Sequence, residues 1–161
     1  GQGDVLALGN LDVVGLSDLD TNAARQIDLL TPELLDRLVR PDANRAVAGF
    51  VHWGREYVTT PSQRELMLAD AMRQRGAALI VGGHPHVASP GLTALAGGET
   101  LMAYSIGNFL FDQVAERSSG TLLEVRVFRQ GTVFARMIPL PNLFDLAKGR
   151  SAAVSSPRPR P

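Results

Sequence analysis

The chain has 161 residues, 16 Lys and Arg against 16 Asp and Glu, 45% hydrophobic residues and no cysteine. One domain is expected at this length, because domains commonly run about 100–150 residues and bury enough surface to stand without staples. The missing cysteine excludes disulfides, cysteine-based zinc sites and thiol catalysis, and the zero net charge argues against a nucleic-acid coat or a polybasic membrane patch.

The first stretch, Asp4 to Leu16, reads as a hairpin, with two short apolar runs around the turn dipeptide Gly9-Asn10. Ser17 to Asn22 is too poor in apolar residues to be core. A helix is expected over Pro32–Arg40, with Thr31 as N-cap, Pro32 in the first helical position and Pro41 as the stop. Ala46–Val51 is an apolar run of strand length. Ser62 and Glu65 then form a capping box, and Leu66, Ala69 and Met72 repeat at helical spacing until Gly76. Ala77–Val81 is a second buried strand, so residues 46–81 predict a βαβ unit with parallel strands.

Thr100–Tyr104 adds a further strand. Thr121–Arg129 and Thr132–Ile138 alternate around Gln130-Gly131 as an antiparallel hairpin. Residues 1–150 thus read as an α/β domain, with a mixed sheet and a C-terminal hairpin. Residues 151–161, rich in Ser, Pro and Arg, read as a disordered tail. Gly76–Gly98, the longest stretch without Asp, Glu, Lys or Arg, is interrupted by Gly, Pro and His, and no run reaches the roughly 18 apolar residues of a membrane helix. The opening Gly1 has neither a Met nor a signal-peptide pattern before it, the mark of a processed or trimmed chain.

All three histidines fall near expected strand ends: His52 after one strand, His84 and His86 after the next, in Gly82-Gly83-His84-Pro85-His86. Ligands bind at the carboxyl ends of parallel strands, and neighbouring strands lie about 4.8 Å apart. Three imidazoles can therefore meet there and bind a divalent ion such as Mn, Zn or Fe. A His-x-His alone is often incidental; His52 on the preceding strand strengthens the case. Glu56, beside these candidates, can ligate, orient a histidine or accept a proton. Trp53 and Tyr57 fit the edge of a core, and Arg55 either pairs with Glu56 or faces solvent. Ser105 in Ser-Ile-Gly-Asn lacks a spare histidine as its base, so Ser105 and Asn108 read as hydrogen-bonding supports, with Phe109 and Phe111 as core.

The series His52-Trp53-Gly54-x-Glu56-Tyr57, Pro61, Gln63, Gly83-His84-Pro85-His86-Val87 and Tyr104-Ser105-Ile106-Gly107-Asn108-Phe109-x-Phe111-Asp112 resembles the CapA family. These are poly-gamma-glutamate capsule synthesis proteins with a calcineurin-like metallophosphoesterase fold. The resemblance covers roughly residues 5–140. It implies part of an α/β/β/α sandwich, a divalent-metal centre with His52, His84 and His86 as ligands, support from Glu56 and Asn108, and a bacterial, extracytoplasmic envelope setting. The early Gly-Asp, acidic or Asn, and Asn-His motifs of such enzymes have no counterpart here, since Gly3-Asp4 merely precedes the hairpin. The chain therefore resembles the carboxyl-terminal half of the family domain, and either its amino-terminal half or a second copy is the expected partner.

Two functions follow from the resemblance. One is a metal-dependent, phosphoesterase-type half-site acting on a phosphoester. The other is a non-catalytic binding or assembly module for an anionic extracellular polymer. A nucleic-acid partner is not expected.

Overall fold

The computed structural model describes residues 4–19, 30–42, 44–109 and 120–140. The expected tail, residues 151–161, lies outside them. Among the described residues eight strands and two α-helices follow in chain order: β1 (Val5–Leu8), β2 (Leu11–Ser17), α1 (Pro32–Leu38), β3 (Ala46–His52), α2 (Gln63–Gln74), β4 (Leu79–Gly83), β5 (Thr93–Ala94), β6 (Leu101–Ala103), β7 (Gly120–Val127) and β8 (Val133–Leu140). The first six strands form one sheet in the order β1-β2-β3-β4-β6-β5, and β7 and β8 form a second.

The predicted hairpin at the start is β1–β2, antiparallel with Leu8 opposite Leu11. The predicted βαβ unit is β3–α2–β4, parallel, with His52 opposite Gly83. A second crossover was not anticipated. β2 also runs parallel to β3, so β2–α1–β3 repeats the same motif. β6 extends the parallel set beyond β4, and the short β5 closes that edge antiparallel.

Capping explains both helices. Thr31 accepts from the Leu34 amide at 3.3 Å, while Pro32 occupies the first turn without losing a needed donor. α1 stops at Leu38, two residues earlier than expected, because Val39 is already extended ahead of Pro41. At α2 the Glu65 carboxylate accepts from the Ser62 amide at 2.6 Å and the Ser62 hydroxyl at 2.8 Å.

Two cores sit on opposite faces of the large sheet. On one face Val14, Leu16, Val47, Val51, Ile80 and Met102 pack against Leu35, Val39, Leu68, Ala69 and Met72 from the helices. On the other, Leu11, Ala46, Ala48, Leu79 and Val81 meet Ala135 with Leu123, Val125, Val127 and Val133 of the hairpin. Helices, large sheet and small sheet are three successive layers, consistent with part of an α/β/β/α sandwich. The β7–β8 connection is longer than predicted. Val127 pairs with Val133, and residues 128–132 turn through a single 3-10 segment, Arg129–Gly131, instead of a two-residue Gln130-Gly131 turn.

Candidate metal centre

β3 and β4 end side by side, and their next residues form the site. His52 is the last residue of β3, one position earlier in register than a residue following the strand would be. The Trp53 amide donates to the Gly83 carbonyl at 3.2 Å, the Ile106 amide to Gly82 at 3.1 Å, and the Asp18 amide to His52 at 2.9 Å. The loops after β2, β3, β4 and β6 are thereby tied together at one end of the sheet. Asp18, read from sequence as surface, has a buried carboxylate that pairs with Arg64 at 2.5 Å and anchors α2's first turn here.

Three non-glycine residues among those described have positive φ: Tyr57 at 63°, His84 at 94° and His86 at 60°. All three belong to this site. Such backbone costs on the order of 1–3 kcal/mol per residue and persists only where surroundings over-determine it. Here the surroundings do. Pro85 is fully buried between the two histidines, and its carbonyl accepts from the Tyr57 amide at 2.7 Å.

Trp53 and Tyr104 build the wall behind the loop. The fully buried Trp53 donates through Nε1 to the Tyr104 carbonyl at 3.0 Å. Gly82 makes that approach possible, since a Cβ there would lie 1.8 Å from the Tyr104 carbonyl oxygen and 2.4 Å from Trp53 Nε1. The Tyr104 phenol is pushed up to about 12, by burial first and then by the Glu65 carboxylate beside it.

The structure brings the three histidine rings near one another, but the ligand atoms of His52 fall outside the metal-sized set that the strand-end argument expects. His52 and His84 rings have centroids 4.9 Å apart, and His84 and His86 5.9 Å. Among the described residues, one set of ligand atoms lies within 4.8 Å of one another: those of Glu56, His84 and His86. Glu56 thus stands with two histidines as a candidate ligand, and His52 adjoins the set through His84. Burial lowers the pKa of His52, and its neighbours His84 and His86 add to the effect. Burial likewise lowers His84, with Glu56 opposing the shift and His86 reinforcing it. Neutral imidazoles are the form that binds metal.

Asn108 fixes His86 at both ends. Its Oδ1 lies 2.7 Å from His86 Nδ1, and its Nδ2 donates to the His86 carbonyl at 3.3 Å. With the amide oriented by that second bond, Nδ1 carries the proton and donates. Imidazole nitrogen and carboxylate oxygen in this arrangement could hold a metal ion.

Ser105, expected as a hydrogen-bonding support, is fully buried; its hydroxyl accepts from the Gly107 amide at 3.2 Å and its carbonyl from the Ser89 hydroxyl at 2.9 Å. Trp53 is core as expected, but Tyr57 is 39% exposed, its ring 6.3 Å from that of His86. Phe109 is not core. It is 68% exposed. Phe111 and Asp112 lie outside the described residues. Missed entirely was Gly120, the first residue of β7, where a Cβ would meet the Asn108 carbonyl oxygen at 1.7 Å. No local pattern marks a glycine whose need arises from a residue twelve positions away.

A family model for bacterial capsule synthesis protein PGA_cap matches residues 21–113. The chain belongs to this family. It is 40% identical over 90 residues to the PGA biosynthesis protein CapA of Bacillus subtilis (strain 168), a match covering 55% of this chain and 23% of that protein. Identity is also 40% over 90 residues to the capsule biosynthesis protein CapA of Bacillus anthracis, covering 55% of this chain and 21% of the relative. The matched stretch therefore spans less than a quarter of either relative. The crystal structure of a hypothetical protein from Thermus thermophilus shares the fold, with a TM-score of 0.58 and 17% identity over 84% of this chain and 60% of that one. No described helix is long and apolar enough to cross a membrane.

Proposed function

We propose that this chain carries part of a divalent-metal centre for phosphoester hydrolysis in capsule or poly-gamma-glutamate synthesis at the bacterial cell envelope. The observation that carries the reading is the Glu56–His84–His86 set, its ligand atoms within 4.8 Å of one another, with Asn108 fixing the tautomer of His86. His52, its ring beside that of His84 but outside this set, is the further histidine of the reading. A divalent ion in such a site supplies Lewis acidity and lowers the pKa of bound water. Asn108 fixes the tautomer and orientation of His86, and Glu56 offsets positive charge and is placed to accept a proton at its carboxylate.

One ion per chain, bound weakly, is the expected stoichiometry, because three histidines and one carboxylate suffice for one ion but not for a carboxylate-bridged pair. Phosphodiester turnover by the chain alone is expected near background. Calorimetric titration of the full chain with Mn²⁺ or Zn²⁺, with His84→Ala and His86→Ala beside it, tests the centre. Unchanged binding in both variants would overturn it. Robust hydrolysis by the wild type, lost in the variants, would make the site complete without an amino-terminal half.

The second reading is a non-catalytic module that binds an anionic extracellular polymer. It is favoured by the same small donor set. Capture of poly-gamma-glutamate that survives a chelator would select it over the first.

A further inference from the structure

Arginine is nearly the sole cation of this chain, and most of its described guanidiniums are already committed. Arg45 pairs with Asp12, Arg64 with Asp18, Arg73 with Asp70, Arg75 with Asp36, and Arg126 and Arg136 with Glu124. Arg40 donates to the Asp36 carbonyl. Arg55 is different: it is exposed, it pairs with no carboxylate among the described residues, and it sits in the loop that also carries Glu56. Its sequence neighbour is the obvious partner, yet the Glu56 carboxylate is turned toward His84 and His86.

The loop around Arg55 is not free to swing. Trp53 is held through its indole to Tyr104, the Tyr57 amide is held by Pro85, and the Val58 amide donates to the Arg55 carbonyl at 3.3 Å. The backbone of Arg55 is thus held in place one residue from Glu56, and the residue is exposed. A guanidinium offers five donors in a planar fork that matches the paired oxygens of a phosphate or carboxylate. Arg37 and Arg129, on α1 and in the β7–β8 connection, lie on elements that contribute nothing to the site.

We propose that Arg55 is the specificity-determining residue of this site, a fork that takes the non-reacting oxygens of an anionic substrate group beside the metal ligands. The inference rests on the metal-centre reading for its location, but it makes its own demand: anion affinity must depend on Arg55 while metal affinity does not. Phosphoester and polymer carboxylate share the required oxyanion chemistry.

The test titrates inorganic phosphate, and separately glutarate, into the full chain at low ionic strength, with Mn²⁺ and without. Wild type, Arg55→Gln and Arg55→Lys are compared. Arg55→Gln is expected to weaken anion binding about tenfold to a hundredfold, the scale of a hydrogen bond to a charged group. Its Mn²⁺ affinity should stay within about twofold of wild type, as expected for an exposed residue outside the ligand set. Arg55→Lys should recover only part of the loss, since an ammonium keeps the charge but not the fork. Preference for phosphate identifies a phosphoester, and preference for glutarate a carboxylate polymer; either preference, if dependent on Arg55, supports the assignment. Anion binding by Arg55→Gln equal to wild type would overturn it. Should the wild type take up no Mn²⁺, the metal-centre reading fails, while the metal-free titration still decides the role of Arg55.

Discussion

The two faces of the six-stranded sheet are finished to different degrees. Against the helices, Val51 and Ile80 are fully buried, and the packing continues into Trp53 at the strand ends. Against the hairpin, Phe50 is 42% exposed, and a groove of about 750 Å³ opens between Leu11, Val13, Ala48 and Phe50 on one side and Leu123 and Val125 on the other. The two β3 residues Phe50 and Val51 are adjacent in sequence and point to opposite faces. The helix face holds the site in place. The hairpin face has apolar surface to spare.

The sharpest way to break that comparison is at Gly82, where the well-packed side meets the site. Gly82→Ala should cost about 3 kcal/mol or more, because neither the Tyr104 backbone nor the buried Trp53 ring can yield by the required distance. Urea unfolding with far-UV dichroism measures it, and a loss under about 1 kcal/mol would mean the wall is softer than its geometry implies. Next comes the pair that compares the faces directly. Ile80→Ala should cost about 2–5 kcal/mol, and Phe50→Ala well under the roughly 3–5 kcal/mol of a fully buried phenylalanine. Equal losses would show that the hairpin face is as tightly packed in solution as the helix face.

Exposed apolar residues also extend to the edge of the large sheet, where Val5, Leu6 and Leu8 of β1 are each more than half exposed. A strand with an open edge and apolar side chains is a template for pairing with another chain. Concentration-dependent association, read by analytical ultracentrifugation and reduced by Leu6→Lys, is the expected behaviour. A chain that stays monomeric at high concentration would count against partner-seeking at that edge.

Sequence patterns carried the local elements and left the long-range ones unseen. The helix caps, the Gly9-Asn10 hairpin and the parallel pairing of β3 with β4 were legible because each is written within a few tens of residues. The parallel pairing of β2 with β3 was not, since its crossover passes through a polar segment that resembles surface. The histidine cluster was legible from strand-end placement. The left-handed backbone at Tyr57, His84 and His86 was not, because side-chain chemistry gives no sign of it and only the buried Pro85 and its neighbours enforce it. Phe109 misled because aromatic character argues for burial without saying which way a loop turns.

The hairpin reaches the site through Gly120, bridged to Gly107 and packed on Asn108, and through the Thr121 amide, which donates to the Ile106 carbonyl at 2.8 Å, and this ties the loose face to the chemistry. Asn108→Ala should weaken divalent-metal binding about tenfold to a hundredfold, as removal of an outer partner of a metal-bound histidine commonly does. Gly120→Ala should give a similar loss by another route, pushing Asn108 away from His86 as its Cβ meets the Asn108 carbonyl. Metal titration by calorimetry reads both. If Gly120→Ala lowers stability but leaves metal affinity intact, the hairpin merely packs beside the site.

The smallest expected effect is a pH dependence of the metal-free chain, and its sign follows from the histidines. His52 and His84 have folded pKa values below their ordinary 6.5, chiefly through burial. Between the lowered values and 6.5 the unfolded chain binds more protons than the folded one, so stability rises with pH in that window. The contribution is fully present above about 6.5 and is lost as pH falls through the folded values. Both rings retain solvent contact, so the urea midpoint should fall only modestly between about pH 7.5 and 5.5. In a His52→Gln, His84→Gln chain that fall should flatten. The same downward shifts favour the neutral form of both imidazoles, so metal binding should persist to lower pH than it would with free imidazoles. A metal affinity that collapses at or above about pH 6.5, measured by Mn²⁺ titration across the range, would show that burial does not hold these rings neutral.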